Sequence, residues 1–298
     1  MYYLAEVFPA FRRLRIPFTR DQIILLFTAL NEALLGLDVF LAHLISGTIV
    51  PYEWIPIIFG PVAGAVLLGA GLLARRNRNA AVLLASGVFL ASILVGVLGS
   101  YFHIIRASIP APVIGRWLSM DMLVWAPPVL GPISFAGIAM LGLSATWTES
   151  PADSGSLKLG KGRKLNLPYS KTRGYMFLVS FGILAAVVSS ALDHARTGFE
   201  SFWVWVPLAA GVFATLTAAY TALLDKPSKM DILNYAGAMA LLIGVGLVGA
   251  WLHVQADLTS ESQFVVERFL RGAPFMAPLQ FANLGLLGLV VGLSPQSE

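Results

Sequence analysis

The chain carries four histidines, His43, His103, His194 and His253, and no cysteine. Imidazole is a frequent axial ligand of haem iron, a common ligand of copper and zinc, and a proton carrier near neutral pH. Without thiols there are no disulfides, iron–sulfur clusters, thiolate-bound zinc, covalent c-type haem or cysteine-containing copper centres. Any metal must be held by His, Met, carboxylates or a ligand from a partner.

The histidines recur in matched surroundings. A gapless alignment of His43 on His194 sets Gly47 on Gly198, Trp54 on Trp205, Pro56 on Pro207, Gly60 on Gly211 and Ala63 on Ala214. Aligning His103 on His253 sets Gly99 on Gly249 and Tyr101 on Trp251. Further on, Pro132, Phe135 and Ala136 match Pro278, Phe281 and Ala282, and Leu141-Gly142-Leu143 matches Leu287-Gly288-Leu289, with a slightly shorter loop in the second half. Counting back from the match of Pro128 with Pro274, Asp121 falls on Glu267. Each half thus pairs two histidines with one acid, which could orient an imidazole N–H or complete a metal site. A lone histidine at a helix C-terminus is accounted for by capping. Four histidines kept in register point to ligation or proton chemistry.

The elements that must position these groups are membrane helices. The chain is 57% hydrophobic and 12% charged, with a mean hydropathy of +0.77, more apolar than a soluble core of this length can bury. A span needs ~20 mostly apolar residues, and the pattern predicts spans near 22–44, 52–74, 80–103, 123–146, 174–194, 203–223, 230–253 and 273–294. The expected fold class is therefore an all-α integral membrane protein with eight transmembrane helices. These form two tandem four-helix units related by a pseudo-twofold axis along the membrane normal. The expected segments are an interfacial lead-in at 1–20, a first unit at 21–147, a cytoplasmic linker at 148–172 and a second unit at 173–298. The lead-in has no apolar core or cleavage site of a signal peptide. Its Tyr2, Tyr3, Phe8 and Phe11 suit the headgroups, and Arg12, Arg13 and Arg15 suit anionic lipid.

Charge sets the orientation. With the N-terminus inside, fifteen of the twenty Lys and Arg fall on the inner side, and Arg106, Arg116, Arg196, Arg268 and Arg271 fall outside. The positive-inside rule then expects a multi-pass cell-membrane protein with both termini and the linker around Lys161 cytoplasmic. The net charge of +4 reflects this topology and gives no reason to expect nucleic acid. All four histidines are expected at the outer ends of odd-numbered helices. The even helices start close to Pro56, Pro127-Pro128, Pro207 and Pro274, and their N-terminal dipole ends face the same side and favour anions such as haem propionates. Trp54, Trp117, Trp125, Trp203, Trp205 and Trp251 read as an interfacial aromatic belt, and Gly64, Gly69, Gly71 and Gly137 as close helix packing.

Two acids fall inside the first span. Glu32 lies near its middle, after Asn31, and Asp38 nearer the outer end, whereas the repeat puts Ile183 and Ser189 opposite them. Glu32 and Asp38 are thus candidates for a proton or cation route present in the first half alone. The alternative is a neutral Glu32 hydrogen-bonded to Gln280 or Asn283 on the last helix.

The plan of two tandem four-helix units, each with two outer-side histidines, resembles that of the haem A synthases, membrane enzymes that modify haem. The resemblance is architectural: in that family the ligands lie on even-numbered helices, so it implies haem as a cofactor class and transfers no residue. Three functions stay open. One is a redox protein holding b-type haem through His43/His103 and His194/His253 and exchanging electrons with quinol or an outer-side partner. Another is a transporter with the histidines and acids as a copper or zinc site and Glu32 as a proton relay. The third is a non-catalytic subunit of a membrane complex.

Overall fold

The structure, a computed structural model, describes residues 3–10, 17–45, 47, 49–108, 120–125, 127–160, 163–258 and 264–293; the side chains of 120–122 lie outside the description. The described chain is predominantly helical, and six of its helices are long and apolar enough to cross a membrane.

Helix α1 spans Arg20–Ile45, and α2, Trp54–Leu73, continues from a 3-10 turn at Pro51–Glu53. Helix α3 spans Arg78–Ser108, α4 is the short Met120–Trp125, and α5 is Leu130–Thr146. Three strands follow: β1 Thr148–Glu149, β2 Ser156–Gly160 and β3 Arg163–Asn166. Then come α6 Lys171–Ala195, α7 Trp205–Leu223 after a 3-10 turn at Phe202–Val204, and α8 Lys229–Asp257. A short α9, Val266–Arg271, precedes α10, Met276–Val291. The apolar helices α5 and α10, at 17 and 16 residues, are shorter than the other six.

Local chemistry explains the boundaries. Ser170 caps α6 by accepting the Arg173 N–H, and Ser228 with Asp231 forms a capping box on α8. Helices α3 and α8 run one turn or more past His103 and His253, because no Pro or Gly interrupts them there. Helices α5 and α10 start later than the hydropathy suggests, since Pro127-Pro128 and Pro274 lack an N–H and can only open a helix.

The helices pack as two rings. In the first half α1 touches α2, α2 touches α3, α3 touches α5, and α5 returns to α1; in the second half α6, α7, α8 and α10 close in the same order. The halves join where α1 meets α10 and α5 meets α6. Backbones come close at two matching places. A Cβ on Gly96 would lie 2.7 Å from the Ala136 nitrogen and 2.9 Å from the Pro132 carbonyl; one on Gly246 would lie 2.5 Å from the Ala282 nitrogen and 2.8 Å from the Pro278 carbonyl. Small residues permit such crossings where lipid gives helices no hydrophobic drive to associate.

The 148–172 stretch contains structure that its polar sequence did not announce. Its strands form an antiparallel sheet in the order β1-β2-β3, pairing Thr148 with Lys158 and Leu157 with Leu165. Leu157 is buried beneath it. The Glu149 carboxylate ties the sheet to the bundle, accepting N–H bonds from Asp153, Gly155 and Lys171 at 3.1, 2.7 and 2.9 Å. The N-terminal segment docks here as well. The Leu4 N–H donates to the Gly292 carbonyl at 2.8 Å, and Leu4 packs with Ile232 and Ala236. Tyr3, expected among headgroups, is therefore buried, whereas Phe8 is exposed. Tyr2, Phe11, Arg12, Arg13, Arg15, Arg116, Trp117 and Lys161 lie outside the described residues.

Candidate functional site

The two parallel-running helices of each ring bring their histidines together at the end opposite the sheet. His43 of α1 and His103 of α3 have ring centroids 6.1 Å apart, with planes inclined by 59°. His194 of α6 and His253 of α8 have centroids 6.3 Å apart, inclined by 88°. All four side chains are half-buried.

Second partners fix how these rings present their nitrogens. His103 Nδ1 lies 2.9 Å from the Pro128 carbonyl, and His253 Nδ1 lies 3.1 Å from the Pro274 carbonyl. His43 Nδ1 lies 2.8 Å from the Val39 carbonyl of its own helix. A carbonyl only accepts, so each Nδ1 carries the hydrogen, and in the neutral ring the lone pair is on Nε2. That is the tautomer a metal-binding histidine needs. The carbonyls of Pro128 and Pro274 are available because they precede α5 and α10 at matched places.

The acids around the pairs differ from those the repeat suggested. Glu267 pairs with Arg271 on the exposed face of α9, away from the histidines, and the side chain of Asp121 lies outside the description. Instead Glu53 reaches His43: one carboxylate oxygen accepts the Val50 N–H at 2.9 Å and the other lies 3.8 Å from His43 Nε2. In the second half Asp257 stands one turn beyond His253, buried, with one oxygen accepting the Ala273 N–H at 2.7 Å. Neither acid is duplicated, so the repeat could not reveal them. Among the described residues no three or more His, Asp or Glu side chains converge on a common metal position.

Glu32 is completely enclosed at the middle of α1. Its partner is Ser92 of α3, with Oγ 2.6 Å from Glu32 Oε1. The expected neighbour Asn283 instead bonds Asn31, amide to amide, across the α1–α10 contact. Asp38 is on the exposed face of α1, so the fold does not bring it to Glu32.

A charged cluster at the sheet end escaped the sequence reading. Lys171 Nζ donates to Asp21 and to the Trp147 carbonyl, both at 2.6 Å, and Arg20 donates to Thr172 at 2.7 Å. Both cations lie over the Tyr175 ring, at 5.3 Å for Arg20 and 5.6 Å for Lys171. Tyr175 donates to Asp21 at 3.1 Å, Thr172 to Asp153 at 3.0 Å, and the Tyr3 hydroxyl to the other oxygen of Asp153. Burial, reinforced by the Asp153 carboxylate, pushes the Tyr3 phenol above its usual range. Its place, where α1, α6, the sheet and the N-terminus meet, marks this cluster as a structural joint.

Comparison with known proteins brings no match, whether to a family model, a curated sequence or a solved structure.

Proposed function

We propose that this chain is an eight-span membrane redox protein of two tandem four-helix units, each holding a b-type haem between the histidines of its first and third helices. The observation that carries this reading is the pair of imidazole contacts, His43 with His103 and His194 with His253, at 6.1 and 6.3 Å between centroids. One metal held between two imidazoles, at metal–nitrogen distances of about 2 Å, would set their ring centres roughly 6 Å apart, the separation found in each pair. Haem iron takes four ligands from its macrocycle and asks the protein for two, the number each unit offers. A structural zinc site asks for four. The Nδ1 hydrogen bonds to Val39, Pro128 and Pro274 hold three of the rings with Nε2 bearing the lone pair. A bound haem supplies reversible one-electron exchange, and the electron partner in this reading is a quinol in the lipid or a redox protein on the histidine side.

Three features support the tandem architecture. The helix contacts close in the same order in each half. The glycine crossings at Gly96 and Gly246 use matching partners. The joint is reciprocal: Arg20 and Lys171 occupy equivalent positions, and each donates to the residue that follows its counterpart, Arg20 to Thr172 and Lys171 to Asp21. Reciprocal contacts of this kind are what a pseudo-twofold axis along the membrane normal produces. Helices α5 and α10, about 25 Å long at 1.5 Å per residue, complete the count of eight where each packs along a longer neighbour. The Lys and Arg distribution supports an orientation with the sheet and both termini in the cytoplasm and the histidines outside.

The test is the absorption spectrum of the purified full chain supplied with haem b. A Soret band and a reduced spectrum of low-spin, bis-imidazole iron are expected. Retention of copper or zinc without a Soret band would replace this reading with metal handling, and binding of none of these would leave the histidines a structural role.

A further inference from the structure

We propose that Glu32 is a proton-exchange site at the centre of the first unit, held as the neutral acid by the Glu32–Ser92–Phe135 arrangement and able to release its proton through rotation of one hydroxyl. This inference stands apart from the haem reading, since it uses none of the histidines.

Ser92 Oγ lies 2.6 Å from Glu32 Oε1 and 3.2 Å from the Phe135 carbonyl oxygen of α5. A serine hydroxyl has one hydrogen to donate, and the Phe135 carbonyl can only accept. Each contact is a full two-centre hydrogen bond when a protonated Glu32 donates to Ser92, which then donates to Phe135. If Glu32 were ionised, the serine hydrogen would turn to the carboxylate and leave the Phe135 contact as two facing oxygens. The two distances, 2.6 and 3.2 Å, suit the acid. Its other oxygen, Oε2, is buried without a hydrogen-bond partner, a place where a full negative charge would go unanswered.

Among the described residues no cation stands by to hold the carboxylate. Helices α2, α5 and α10, which pack against α1, contain no titratable residue. The titratable groups of α3 are Arg78 at one end and Tyr101, His103 and Arg106 at the other, those of α9 are Glu267, Arg268 and Arg271, and those of α1 itself are Arg20, Asp21, Asp38 and His43. Glu32 lies midway along α1 between Asp21 and His43, roughly 16 Å from each at 1.5 Å per residue.

The bundle does not need an acid here. In the second half the equivalent positions are Ile183 and Leu242, both completely buried, beside Phe281. The first half keeps a costly group where hydrocarbon would fill the space, and an ionisable side chain at that depth is kept for function. The step itself is simple. Water admitted by opening of the bundle takes the proton from Glu32 and carries it off as hydronium, the Ser92 hydrogen swings from Phe135 to the new carboxylate, and uptake reverses both.

Infrared spectroscopy of the full chain tests this, in H2O and D2O and across pH. The wild type is expected to show a protonated-carboxyl C=O band that shifts down in D2O and gives way reversibly to carboxylate absorption as pH rises. Glu32→Gln should lose that band. Ser92→Ala should shift it without removing it, which assigns the band to Glu32 even if the glutamine variant does not fold. A Glu32 band that ignores D2O and pH up to unfolding would overturn the proposal in favour of a sealed structural acid, as would a spectrum in which neither substitution changes the protonated-carboxyl region.

Discussion

The centres of the two halves solve one packing problem differently. In the first half Glu32 and Ser92 meet beneath the Phe135 carbonyl. In the second, Ile183 and Leu242 fill the corresponding space beside Phe281 with hydrocarbon. At the histidine end the halves agree, each closing a pair with centroids just over 6 Å apart. The difference separates what the scaffold requires from what it carries: the rings close around either centre, so the polar one is an addition.

The halves meet on matching footings at the joint, and disrupting it is expected to have the largest effect. Lys171→Met removes the closest cation from Asp21, leaving it Tyr175 and the more distant Arg20, and is expected to cost about 3 kcal/mol, the lower end of the penalty for breaking a buried pair from one side. Lys171→Arg should retain most of the stability. Thermal unfolding in detergent reads both, and a neutral Lys171→Met would show that the joint does not hold the halves together.

Next in size is the attempt to give the second half the first half's acid. Ile183→Glu places a carboxyl opposite Leu242, which offers no hydroxyl, at an expected cost of about 3 kcal/mol. Adding Leu242→Ser supplies the missing partner and should recover part of that loss. If the double variant is no more stable than the single, Ser92 is not what makes Glu32 tolerable.

The smallest effect is expected for the reverse exchange. Glu32→Leu leaves Ser92 donating to Phe135, orphans no polar atom and should change stability by about 1 kcal/mol or less, in either direction. A loss of several kcal/mol in the unfolding transition would show that the acid serves the fold.

The histidine pairs were legible because both members of each recur in register, and a hydropathic span of known length sets their depth. Ser92 was not, since in an Ala-, Gly- and Ser-rich helix a serine reads as one more small packing residue. The partner of Glu32 was accordingly sought on the last helix, where Asn31 in fact meets Asn283. Glu53 and Asp257 were missed because neither is duplicated. The sheet was missed because its strands are 2, 5 and 4 residues long, with little alternation to mark them. The joint depends on contacts between residues about 150 positions apart, such as Arg20 with Thr172 and Lys171 with Asp21, which no local pattern encodes.

The most direct measurement for the account as a whole is haem stoichiometry in the wild type and in variants that remove one pair at a time. Two haems per chain are expected in the wild type, one in His43→Ala/His103→Ala, one in His194→Ala/His253→Ala, and none when all four are replaced. A wild type that binds no haem, or paired variants that bind as much as the wild type, would contradict it.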